Sequence, residues 1–178
     1  MNRRVLLTAF ASVALCSAAS AQSVGEKTGV NSVLGVAPTT ADFVREAAIS
    51  DMTEIAASKI GQERGNAAEK TFSAQMITDH TKTSTELKAL IAGGVKATIP
   101  VGLDEASQKK IDKLKNAKAE DFSSDFDSMQ VSAHKDAVSL FERYAKGGED
   151  PKLKDWAGKT LPHLQHHLDM AQNLNKKK

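Results

Sequence analysis

Beyond about residue 40, apolar residues recur every three or four positions, and no segment keeps the two-residue alternation of a half-buried strand. This spacing predicts four long helices and one short one. The first runs from about Thr40 to Gln62, with Thr40 as N-cap and Phe43, Ala47, Glu54, Ala57 and Gly61 along one stripe. Gly65-Asn66 makes a tight turn, and Asn66 caps a second helix carrying Phe72, Met76, His80, Leu87 and Ile91 up to the Gly93-Gly94 stop. After a connection containing Pro100, Asp104 caps a short helix that reaches about Asn116 and presents Ile111 and Leu114. The third long helix, about Glu120 to Lys146, aligns Phe126, Gln130, His134, Val138, Phe141 and Ala145 before Gly147-Gly148 ends it. Asp150-Pro151 opens the last, whose seam is Leu153, Ala157, Leu161, Leu164, Leu168, Ala171 and Leu174. Pro162 removes one backbone hydrogen bond inside that helix and predicts a kink. The short turns make both helix pairs antiparallel, so the expected fold is all-α: a four-helix bundle with a short helix in its central crossover.

The first residues belong to a different class. Arg3 and Arg4 precede an apolar run, Val5 to Leu15, that is short for a membrane span, and Ala19-Ser20-Ala21 has the small-x-small form of a signal-peptidase site. Residues 1–21 are therefore expected to be a signal peptide, 22–39 a flexible leader rich in Gly, Ser, Thr and Val, and 40–175 the helical domain. Export to the periplasm or beyond follows. Leu15 occupies the place before Cys16 where lipid attachment needs a small residue, so ordinary cleavage after Ala21 removes the chain's only cysteine. Any metal site must then use nitrogen and oxygen. No later segment is apolar enough to cross a bilayer.

Removing Arg3 and Arg4 with the signal peptide leaves basic and acidic residues balanced, at 22 acidic against the remainder of 24 basic. That balance argues against nucleic acid as a partner. The run Lys176-Lys177-Lys178 suits a solvated helix C-terminus, where cations meet the negative end of the dipole. Aromatic residues make up 4% of the chain, too few to suggest stacking platforms for bases or sugars.

Candidate chemistry rests on the five histidines, His80, His134, His163, His166 and His167. His80 shares a stripe with Phe72, Met76 and Leu87, and His134 with Phe126, Val138 and Phe141. His167 borders the seam of the last helix, His163 lies one turn before it, and His166 projects toward solvent. Glu54 is the carboxylate on the inward stripe of the first helix. Buried imidazoles and carboxylates call for pairing or a metal, and neutral imidazole suits Zn, Cu, Fe and Ni. The expected metal ligands are His80, His134, His167 and Glu54, with His163 as an adjunct, and donor atoms gathered within about 3 to 4 Å would mark the site. A carboxylate-bridged di-iron centre needs Glu-x-x-His pairs. Here the residues three before His80, His134 and His167 are Ile77, Val131 and Leu164. Asp79 and His80 form no dyad, because neighbouring helical residues point apart. Phosphate loops, serine elbows and zinc-protease motifs are lacking, and Met52, Met76, Met129 and Met170 sit in separate helices, a weak copper-thioether signal. The same histidines could instead be core residues donating to carbonyls or carboxylates.

The run Met76-Ile77-Thr78-Asp79-His80, the segment Gln130-Val131 through His134 to Leu140-Phe141-Glu142, and Leu161-Pro162 with His167-Leu168 resemble the exported bacterial domain-of-unknown-function 4142 family over about residues 40 to 174. The resemblance implies a ferritin-like antiparallel bundle behind a signal peptide and no established activity. It matches Glu54, the Asp79-His80 pair, His134 and His167 to the family's pattern, and leaves His163 and His166 as extras. Many members have Phe-Asp where this chain has Phe122-Ser123. The combined expectation is an exported helical protein that binds one transition-metal ion rather than an enzyme. The alternatives are a metal-free interaction or envelope-stress module with a protein partner, and a metal-dependent oxidoreductase.

Overall fold

The computed structural model describes residues 23–176. The expected signal peptide, with Cys16, lies outside the described residues, as do Gln22, Lys177 and Lys178. Among the described residues there are seven helices and no strand: α1 (Val24–Lys27), α2 (Val30–Leu34), α3 (Thr40–Arg64), α4 (Ala67–Ala92), α5 (Glu105–Asn116), α6 (Ala119–Gly147) and α7 (Pro151–Asn175). The protein is all-α.

Helix starts follow local hydrogen-bonding chemistry. Thr39, not its equally suited neighbour Thr40, caps α3 by accepting from the Asp42 amide. Asn66 and Glu69 form a reciprocal capping box on α4. Asp104 caps α5, and Asp150 accepts from the Lys152 and Leu153 amides with Pro151 in the first turn of α7. At the end of α5 the guanidinium of Arg64 donates to the carbonyls of Leu114 and Lys115 and also lies over the Phe122 ring. α7 continues through Pro162, whose ring is exposed.

α3 packs most extensively on α4, and α6 on α7. Their contacts run in opposite chain directions: Gly61 meets Ser73, whereas the earlier Asp51 meets the later His80. α3 also touches α5 and α6, and α4 touches α7. Two apolar clusters result. One gathers Phe43, Leu87, Phe141, Tyr144, Leu153 and Trp156, with Phe43 stacked on Tyr144 at 3.9 Å. The other gathers Phe72, Met76, Leu114, Phe122, Phe126 and Ala171. Burying each large side chain contributes about 1.5–3 kcal/mol, so these clusters carry the fold. On every long helix buried polar residues lie between the two clusters: Asp51 and Glu54 on α3, His80 on α4, His134 on α6, His167 on α7.

The segment expected to be a flexible leader holds α1 and α2. Its composition hides one buried ion pair, Glu26 with Arg143 of α6 at 2.6 Å. Arg143 also donates to the Val36 carbonyl, and Ser23 donates its amide to Asp42. No helix among the described residues is long and apolar enough to cross a membrane.

Candidate metal centre

His80, His134 and His167 come from three different helices and are all buried. Their ring centres form a near-equilateral triangle: 5.7 Å between His80 and His134, 5.6 Å between His80 and His167, and 5.5 Å between His134 and His167. One donor nitrogen from each lies within 4.8 Å of the other two. That gathering is looser than the 3 to 4 Å expected from sequence.

Each ring is anchored through one nitrogen. His80 Nδ1 donates to Asp51 Oδ1 at 2.8 Å, His134 Nδ1 to the carbonyl of Gln130 at 2.9 Å, and His167 Nε2 to Asp79 Oδ2 at 2.8 Å. Carboxylate and carbonyl oxygens only accept, so each anchored nitrogen carries the proton. In a neutral ring the other nitrogen then holds a lone pair. Those nitrogens, His80 Nε2, His134 Nε2 and His167 Nδ1, have no hydrogen-bond partner and are shut off from solvent.

Electrostatics separate the three rings. Burial, helped by His80 and His134, pushes His167 down to about 4 against the pull of Asp79. His167 is therefore neutral near pH 7, and its contact with Asp79 is a hydrogen bond rather than an ion pair. Burial also lowers His134, more than the nearby Glu54 charge raises it. For His80, burial is again the largest single influence and acts downward, yet the bond and charge of Asp51, with Glu54 and Asp79, together lift it above the ordinary value. For Asp79 burial is the largest single influence and acts upward, yet its bonds to Gln75 and His167, with the charge of His80, together hold it low.

Glu54 is 1% exposed, and neither of its carboxylate oxygens has a hydrogen-bond partner. It acts on both His80 and His134 but stands outside the three-histidine group. His163 and His166 are exposed. His163 lines a cavity of about 280 Å³ between α4 and α7, together with His80 and His167. On the other side Glu54 borders a cavity of about 510 Å³ roofed by α1 and α2.

Sequence reading did not single out Asp51, the residue that orients His80. Its carboxylate also accepts from Thr83 and Ser84, so one buried acid organises a whole turn of α4. The available signal was its spacing, three residues before Glu54 on a helix otherwise small and apolar on that side. Asp79, next to His80 in sequence, is directed across to α7.

Searches of curated proteins and of solved structures find no match to this chain. The profile of a domain of unknown function, DUF4142, matches residues 25–174, which contain every residue of the centre. The chain belongs to the DUF4142 family.

Proposed function

We propose that this is an exported, periplasmic, ferritin-like antiparallel four-helix-bundle protein that holds one transition-metal ion through His80 Nε2, His134 Nε2 and His167 Nδ1, with Glu54 as the anionic neighbour. The observation that carries the reading is three buried imidazole nitrogens without partners, on rings whose opposite nitrogens are all tied outward. Buried nitrogens without partners lose their hydration, and a buried carboxylate without a donor needs a compensating positive charge. A cation relieves both.

Ring spacing supports the fit. A metal–nitrogen bond of about 2.0–2.1 Å plus about 1.1 Å from nitrogen to ring centre sets ring centres roughly 5.1–5.5 Å apart around a tetrahedral or trigonal ion. The observed triangle, 5.5 to 5.7 Å, is slightly wider, and the donor nitrogens, within 4.8 Å of one another, would draw together around the ion. Outward bonds from ligand rings to carboxylates and carbonyls are the usual second layer of metal sites, where they fix tautomer and orientation. Neutral nitrogen donors with one carboxylate suit Zn, Cu, Fe or Ni and do not suit Ca or Mg. Export rests on the N-terminal charge, apolar run and cleavage pattern of the sequence.

Metal content of protein purified from periplasm tests the proposal, followed by reconstitution with each of the four metals. The expected result is one ion per chain and a raised melting temperature, since an ion at 100 times its Kd stabilises by about 2.7 kcal/mol. No retained metal and an unchanged melting temperature would refute it.

One set of observations favours a metal-free reading: every ring already has one satisfied bond. On that reading the histidines form a core hydrogen-bond network in an interaction module. His134→Gln would then lower stability to the same degree with and without added metal, whereas metal binding makes the loss larger when metal is present.

A further inference from the structure

We infer that the groove between α4 and α7 is the loading port of the centre, that exposed His163 is its capture ligand, and that His167 is the ring that opens. This rests on the metal-binding reading above. The three donor nitrogens are sealed from solvent, so an ion reaches them only if a ring moves. Two rings are held firmly. His80 is bonded to Asp51, whose side chain is 9% exposed and is itself fixed by Thr83 and Ser84. His134 is bonded to a backbone carbonyl of its own helix.

His167 is held differently. Its anchor, Asp79, has a side chain 30% exposed, and the remaining bond of that carboxylate is to exposed Gln75. Water can replace the Asp79 bond at little cost, so this ring swings most easily. The space it would swing past is the 280 Å³ cavity, whose wall includes His80, His167, Asp79 and His163. His163 precedes His167 by four residues, and side chains at that spacing on a helix lie about 5–6 Å apart at Cβ, within reach of a direct hand-over. The 510 Å³ cavity on the opposite side touches Glu54, but no histidine lines it. A cation finds a nitrogen donor on one side only.

A capture ligand absent from the final coordination shell changes rates and not equilibrium. Stopped-flow uptake of Zn²⁺ by the mature chain, and its release to an excess of chelator, should therefore both slow in His163→Ala. The expected change is on the order of tenfold in each direction, the loss of a locally concentrated ion, with Kd and one-ion stoichiometry unchanged. His166→Ala, on the same helix but outside the groove, should load at the wild-type rate. Wild-type rates in His163→Ala would overturn the port. So would a weaker Kd with faster release, which would make His163 a resident ligand. If wild-type protein takes up no metal, both this inference and the proposed function fall; if it does and only the His163 result is negative, the port alone falls.

Discussion

Asp79 accepts a hydrogen bond from His167 on α7 at 2.8 Å, not from His80, its neighbour in sequence. His80 is held instead by Asp51 from α3. Each carboxylate thus orients a ring on another helix, and the centre ties α3 to α4 and α4 to α7. Anchors of this kind are worth about 10- to 100-fold in metal affinity. Asp51→Ala should reach the upper part of that range, because nothing from solvent can replace a buried acid. Asp79→Ala should fall near the lower part, because water can. Competition against a chromophoric chelator measures both, and a larger loss for Asp79→Ala would reverse the assignment of fixed and movable rings.

The four long helices and their stripes were legible because apolar spacing of three and four residues, cap residues and paired glycines agree with one another. Inward orientation of His80 and His134 followed from the same stripes, and divergence of adjacent helical side chains correctly separated Asp79 from His80. What could not be read is interhelical pairing. Nothing local says that Asp79 finds α7, or that Asp51 finds His80. The Glu26–Arg143 pair spans 117 positions, so a Gly- and Ser-containing segment read as a leader where the structure has two short helices. The cap of α3 shifted by one residue because Thr39 and Thr40 are chemically equivalent candidates.

Removing Glu26 should release that N-terminal segment. Both partners of the pair are buried, and leaving one buried charge without its counterion destabilises by about 3–5 kcal/mol. Part of that penalty is relieved if α1 lifts away and lets water reach Arg143. Glu26→Ala is therefore expected to cost stability and to accelerate amide exchange across 24–36, while the three-histidine centre keeps its metal stoichiometry. Exchange unchanged in that segment would show that other contacts dock it.

Gly61 sits where α3 passes close to α4 and α6. A Cβ there would lie 2.3 Å from Ser73 Oγ and 2.8 Å from the Phe126 ring. Serine can rotate, but Phe126 is fully buried and has nowhere to go. Helix propensity favours alanine over glycine by up to about 1 kcal/mol, and overpacking opposes it by about 1–3 kcal/mol. Gly61→Ala is expected to lower the melting temperature, and a rise would mean that the helices separate freely at this point.

Asp104 offers a pH test away from the histidines. Burial acts to raise its carboxyl, but the amide and hydroxyl of Ser107, with the charges of Arg45 and Lys110, hold it below its ordinary value of 3.8. A folded-state value below the unfolded one means that the charged cap stabilises α5 at pH above 3.8, and that this contribution disappears as pH falls through the lower, folded value. The cap is worth about 1 kcal/mol. The stability difference between wild type and Asp104→Ala should therefore be near that size at pH 6 and shrink on acidification below 3.8. Asn keeps the cap oxygen without the charge, so the difference between Asp104→Asn and Asp104→Ala should stay constant over the same range. Denaturant melts of the three proteins across that range measure both differences, and a wild-type advantage over Asp104→Asn that persists at the acid end would contradict the charge-based part of the cap.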